Sequence, residues 1–200
     1  MKTSELKTIS ESLIETLRSR CRELRLANLS ENNLLNALKQ INLNFPEKDK
    51  EIYSLLASGS VGNSIRLLKH DGANLYSSIL SFLSELPNLK GFELEKFVST
   101  FEGPKNRDRL ELLIELLNIA IARVSKSGVL GANFTDQALK DENHIFQKLC
   151  PNPNIAKKWA ELAQTQSKNL SRGLSVNLDP GSLILDTFFR IEDCAKTIRQ

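Results

Sequence analysis

Cysteine is scarce, with three residues (Cys21, Cys150 and Cys194) in a chain of 200. They stand far apart, form no Cys-x-x-Cys pair and are odd in number, which argues against a disulfide framework. Histidine is scarcer still: His70 and His144 are well separated, and neither sits in a His-Glu-x-x-His pattern. With so few and such scattered ligands, no zinc constellation can be assembled. No apolar run approaches the ~20 residues that cross a bilayer. Met1 to Ser10 are polar and lack the apolar stretch of a signal peptide. There is no Gly-x-x-x-x-Gly-Lys-Ser/Thr loop and no Gly-x-Gly-x-x-Gly, the sequences that cradle phosphates, and no Gly-x-Ser-x-Gly nucleophile elbow. Charge of one sign is also lacking, since the net charge is only +3, too little to claim nucleic-acid binding on charge alone. These absences lead us to expect a soluble, cytoplasmic protein with no membrane segment, no cofactor and no metal, and not a self-sufficient enzyme.

Apolar residues make up 40% of the chain and charged residues 26%, a balance that fills a core and is not that of a disordered chain. The apolar spacing is helical almost everywhere. From Lys105 to Lys126, Leu110, Leu113, Ile114, Leu117, Ala120, Ile121 and Val124 recur at i, i+3, i+4 and i+7, one face of a helix. Leu112, Leu116 and Ile119 add a second stripe, which predicts a central helix with more than one neighbour. Gly103-Pro104 suits its start and Ser127-Gly128 its stop. Towards the end of the chain, Asp179 is a candidate N-cap before Pro180, followed by the stripe Ile184, Phe188, Ile191, Ala195 and Ile198. Ile155 to Arg172 carries Trp159, Leu162, Ala163, Gln166 and Leu170, and Pro151 and Pro153 separate it from a segment spanning Thr135 to Leu149. Earlier, Ser30 caps a helix with Leu34, Leu35, Leu38 and Ile41. Pro46 to Ala57 presents Ile52, Leu55 and Leu56, Gly59 breaks it, and Val61 to His70 resumes with Ile65, Leu67 and Leu68. Asn74 to Leu86 and Phe92 to Phe101 complete the set. One stretch, Arg22 to Leu26, alternates as a strand does. A boundary is expected near His70-Asp71-Gly72-Ala73. Carboxylates such as Glu111 and Glu115 read as solvated charge on polar helix faces.

Two clusters stand out. In Leu17-Arg18-Ser19-Arg20-Cys21-Arg22, three arginines fall within five residues, and a planar guanidinium is well suited to phosphate charge. The other is Ala57-Ser58-Gly59-Ser60-Val61-Gly62-Asn63-Ser64-Ile65-Arg66, whose glycines permit a tight helix-to-helix join.

In this order the two clusters resemble the clamp-loader branch of the AAA+ ATPases. Thr16-Leu17-Arg18-Ser19-Arg20-Cys21 is similar to that family's Ser-Arg-Cys motif, and Ser30-Glu31 opens a helix as its lid does. Gly59-Ser60-Val61-Gly62 resembles the Gly-Ser-Pro-Gly turn at the head of the sensor-2 helix, with Val61 in place of proline. Asn177-Leu178-Asp179-Pro180, followed by Leu183, Leu185, Phe188 and Ile191 and preceded by Trp159, resembles the last collar helix. The resemblance covers Ser12 to Lys196. It implies an all-α chain with at most one residual β-strand near the N-terminus: 1–29 a remnant of the AAA+ base domain, 30–73 a helical lid and 74–200 a collar. It further implies a C-terminal part without Walker A, Walker B or zinc module, acting in DNA replication. Arg20 would be the arginine finger reaching a neighbour's ATP, with Ser19 and a buried Cys21 holding its loop. Asn63 would occupy the sensor-2 position, where it supplies no charge; Arg66, one turn on, is the weaker substitute. Partners would be the motor subunit (tau/gamma) and delta, bound through residues 74–200 in a five-subunit ring, with primed DNA and the sliding clamp met only in the full complex. Two other readings stay open: a helical nucleic-acid-binding domain using Arg18, Arg20, Arg22 and Arg25, and a generic helical scaffold.

Overall fold

The computed structural model describes residue 20 and residues 27–135, 137–175 and 178–198. Among the described residues are nine α-helices and no strand, as the all-α expectation requires: α1 (Glu31–Gln40), α2 (Lys50–Ala57), α3 (Val61–Lys69), α4 (Gly72–Glu85), α5 (Gly91–Ser99), α6 (Arg107–Leu130), α7 (Glu142–Leu149), α8 (Pro153–Ser175) and α9 (Pro180–Ile198). The strand expected at Arg22 to Leu26 lies outside the described residues.

Helix α6 is central, as its two apolar stripes predict. Leu110, Leu113, Ile114, Leu117, Ala120, Ile121 and Val124 are buried, and so are Leu112 and Leu116 of the second stripe. It packs most extensively against α8, then against α4 and α7. The expected stop at Ser127-Gly128 does not occur. The helix runs on to Leu130 and ends at Gly131, whose φ is +53°. Gly128 is there for packing instead. A Cβ at this position would lie 2.2 Å from Cys150 Sγ and 3.1 Å from the Cys150 carbonyl oxygen, so only glycine lets the end of α7 sit on α6. One turn earlier, Ser125 Oγ donates to the Ala156 carbonyl of α8 at 2.8 Å. Trp159 is fully buried, and its Nε1 donates to the Leu149 carbonyl at 3.1 Å, satisfying an orphan acceptor at the end of α7.

The last helix follows its sequence. Asp179 Oδ2 accepts from Ser182 N at 2.8 Å and from Ser182 Oγ at 2.8 Å. Ile184, Phe188, Ile191 and Ala195 are buried, and Ile198 packs on the core's edge. The hydrogen bonds from the Ser182 amide and hydroxyl hold the Asp179 carboxyl below its ordinary value. A carboxyl whose native pKa is depressed adds stability above its unfolded pKa and loses it as pH falls through the native one. Asp179→Ala should therefore cost about 1 kcal/mol at neutral pH. In urea melts the difference from the parent chain should begin to shrink as pH falls past the ordinary carboxyl value near 4 and go on shrinking below it; a difference that does not shrink in acid would mean the carboxylate is not the cap.

Further expectations need correction. The segment from Thr135 to Leu149 is helical only from Glu142, because the residues before it form a loop held by the Glu142 carboxylate. Helix α1 buries Leu34 and Leu38 but stops at Gln40, which leaves Ile41 exposed. In α3, Leu67 is buried while Ile65 faces solvent, since the short helix meets its neighbours along one narrow stripe. Ser30 does stand at the N-cap of α1, but its hydroxyl makes no capping bond. A short 3-10 turn, Glu47–Asp49, precedes α2, and Phe45 stacks on Tyr53 with ring centroids 5.3 Å apart. Helices α3 and α4 meet at His70-Asp71, where Asp71 takes a left-handed φ of +54°. One buried cluster runs from Leu34 through Tyr76, Leu113 and Trp159 to Ala195.

Candidate functional site

The glycine turn between α2 and α3 is built from backbone contacts. Ser58 and Gly59 both take left-handed conformations, with φ of 49° and 73°. Leu29 N donates to the Gly59 carbonyl at 3.0 Å. A Cβ at position 59 would lie 2.4 Å from Leu29 O and 2.8 Å from Leu29 N. The chain entering α1 therefore lies directly on this turn. Ser60 is the N-cap of α3, its side chain accepting from Asn63 N at 3.3 Å. Val61 is the first helical residue, a position whose N–H has no intrahelical partner, so proline and valine both fit there.

Asn63 is half-buried on the first turn of α3. It lines a narrow crevice with Leu56, Arg66, Glu115, Leu116 and Ile119. Arg66 Nη1 bonds Glu115 Oε2 of α6 at 2.9 Å. This corrects the reading of Glu115 as solvated charge, although the pair stays over a third exposed on the arginine side and contributes little stability. The guanidinium nearest Asn63 is thus held against α6. Glu111, by contrast, is a surface residue paired with Arg107 on its own helix. Arg20 is exposed in a turn. Ser19 and Cys21 lie outside the described residues, as do Arg18, Arg22 and Arg25, so the arginine cluster is placed only at Arg20.

A second site was missed by the sequence reading. Glu142, at the start of α7, is 0% exposed. Arg123 of α6 grips it with Nε to Oε1 at 2.8 Å and Nη2 to Oε2 at 3.1 Å. The Tyr76 hydroxyl of α4 donates to Oε1 and the Ala138 amide donates to Oε2. The Arg123 guanidinium also stands over the Phe134 ring, 5.3 Å from its centroid. Burial, with the Glu142 charge beside it, pushes the Tyr76 phenol well above its ordinary value. The signal was present in the spacing: Glu142, Phe146 and Leu149 fall at i, i+4 and i+7, so the carboxylate lies on the apolar stripe of its helix.

This latch fixes the loop that walls an open cleft of about 840 Å³ between the start of α2, α4 and α7. Ile52, Leu80 and Ile145 supply apolar lining, and Lys48, Glu51 and Lys140 supply charges of both signs. Among the described residues, no group of three or more histidine, cysteine, aspartate or glutamate side chains could hold a metal ion. No described helix is long and apolar enough to cross a membrane.

Comparison with known proteins gives one replication relative. Over 144 residues the chain is 30% identical to the DNA polymerase III subunit gamma of Buchnera aphidicola subsp. Schizaphis graminum, an alignment that takes in 68% of this chain and 37% of the relative. The chain thus spans little more than a third of that relative's length. No protein-family model matches the chain, and no solved structure matches it.

Proposed function

We propose that this chain is the lid and collar part of a clamp-loader subunit in DNA replication, of the non-hydrolysing delta-prime type, with the lid at 30–73 and the collar at 74–200. The similarity to a DNA polymerase III subunit supports the family. The observation that carries the finer reading is the first turn of α3. Asn63, which on this reading takes the sensor-2 position, has its backbone N–H on the Ser60 cap, and the next guanidinium, Arg66, is engaged by Glu115. An asparagine offers no positive charge to a nucleotide phosphate, so the site suits assembly better than hydrolysis. Arg20, exposed at its turn, is the residue that would act on a neighbour's ATP.

Mixing the chain with the gamma and delta subunits of the same cell and sizing the product by light scattering tests this. A stable mixed complex is expected, with no saturable ATP binding by the chain alone. If the Arg20 role is right, Arg20→Ala should leave assembly intact and lower ATP turnover of the mixed complex by ~10³-fold, the scale of a lost arginine finger. A chain that stays apart from both subunits, or binds and hydrolyses ATP by itself, would overturn the proposal.

A further inference from the structure

Gln166 is on the stripe of α8 that buries Trp159 and Leu170, and it is 0% exposed. Among the described residues neither its Nε2 nor its Oε1 has a hydrogen-bond partner. Buried amides are almost always bonded, and one without partners loses its hydration with nothing in return. The helical period says where this amide stands. Ala156 of α8 is turned to α6, its Cβ 3.2 Å from where a Gly128 Cβ would lie. Lys158 is turned to α9, close enough for its charge to act on the Cys194 thiol. Gln166 is ten residues from the first and eight from the second, which sets it midway between the two faces, at the seam where α6, α8 and α9 meet.

The three helices that wall the seam are not held alike. Helix α6 packs on α4, α7 and α8. Helix α8 is bonded to its neighbours through the Ala156 carbonyl and the Trp159 indole. Helix α9 packs mainly on α8 and α5. Among the described residues, its hydrogen bond to the rest of the chain is the one from Leu89 N to Glu192 Oε1, at 3.0 Å. The buried Thr187 of α9 donates its hydroxyl to the Leu183 carbonyl of the same helix, at 2.8 Å. The wall with the least holding it is therefore α9, and elements of that kind open below the free energy of global unfolding.

We propose that Gln166 is a release point built into the bundle: α9 opens as a unit ahead of the other helices, and the opening is favoured because it returns water to the Gln166 amide. A leucine at this position would leave nothing to hydrate, so the same opening would become rarer. The inference is independent of the replication reading, because it concerns the chain by itself.

Amide exchange of the full chain without denaturant, followed residue by residue by NMR, reads it directly. In the parent chain the Phe188 and Ile191 amides of α9 should exchange at least ~10-fold faster than the Leu117 and Ile121 amides of α6. Gln166→Leu should slow the α9 amides roughly 10-fold or more, and the α6 amides by a similar factor, because global unfolding exposes the same side chain. Gln164→Leu, at an exposed position of the same helix, should change neither by more than about twofold. Gln166→Met, whose side chain adapts to an irregular space, covers the case of a leucine that does not fit. Equal exchange rates for α9 and α6 in the parent chain would overturn the inference, as would α9 amides that Gln166→Leu leaves unchanged. So would faster α9 exchange in both Gln166→Leu and Gln166→Met, since the amide would then be bonded in solution.

Discussion

Arg123→Ala is expected to lower the unfolding free energy by about 3–5 kcal/mol, the cost of leaving a buried charge without its partner, and Tm by roughly 6–20 °C for a chain of this size. Glu142 has no access to water and four donors on its two oxygens. Removing Arg123 takes away two of them, and Phe134 loses the guanidinium above its ring. The Tyr76 hydroxyl and the Ala138 amide remain, but neither carries charge. Glu142→Gln should cost less, about 2–3 kcal/mol, because it keeps the shape and one acceptor. Combining the two changes should cost clearly less than their sum, since the second removes the charge that the first exposed. Urea unfolding of the four proteins measures all of this. A loss under 1 kcal/mol for Arg123→Ala would mean that water reaches the carboxylate and the 134–141 loop is not anchored by it. The same site gives an alkaline signature. The Tyr76 phenol is raised by burial first and then by Glu142. A raised native pKa contributes stability that is fully present below the unfolded value near 10 and is lost as pH climbs above it. Tyr76→Phe should remove that part of the alkaline decline.

Gly59→Ala is expected to cost about 2–4 kcal/mol, from a strained left-handed backbone and an overpacked contact together. Gly103 supplies the control. It has a φ of +92° and nothing within 4 Å of where its Cβ would be, whereas at Gly59 the new carbon meets Leu29 O at 2.4 Å. The Leu29 atoms are backbone and cannot rotate aside. Gly103→Ala should therefore show a conformational cost alone, about 1–3 kcal/mol, because its φ of 92° and ψ of 155° lie where essentially only glycine sits. Amide exchange gives a local check: the Leu29 N–H, bonded to the Gly59 carbonyl, should exchange faster in Gly59→Ala and unchanged in Gly103→Ala. A Leu29 N–H that exchanges no faster in Gly59→Ala would show that the chain entering α1 does not rest on the turn. That contact ties Leu29, just ahead of α1, to the turn that opens the helix carrying Asn63.

Much of this was legible in the residues. The two stripes of α6 predicted a helix with neighbours on both sides, and Asp179-Pro180 predicted a capped start, because period and cap chemistry are local properties. Gly128 misled because a glycine inside a helical pattern has two meanings. It can end the helix or admit a neighbour's backbone, and only the approach of Cys150 decides between them. Thr135 to Leu149 misled for a related reason. Its loop is held by a carboxylate bonded across three elements, and no window of sequence contains Tyr76, Arg123 and Ala138 together. Glu142 itself was within reach, since it shares a stripe with Phe146 and Leu149. A carboxylate on an apolar stripe is a better guide to a buried ion pair than the general rule that helix carboxylates are solvated. At the α3 turn, the motif placed Asn63 correctly at the head of its helix, but the Arg66–Glu115 pair needed the fold to bring α3 to α6.

The seating of Cys150 on Gly128 also makes the protein its own probe of unfolding. Burial pushes the Cys150 thiol up to about 11, so roughly one molecule in 10⁴ carries the thiolate there at pH 7. An alkylating reagent must wait until the contact between α6 and the end of α7 comes apart. Cys194 is also raised by burial but only half-buried on α9, so a reagent partly reaches it in the folded chain. Labelling at Cys150, followed by mass spectrometry without denaturant, therefore measures how often the central packing opens, with Cys194 as the faster internal reference.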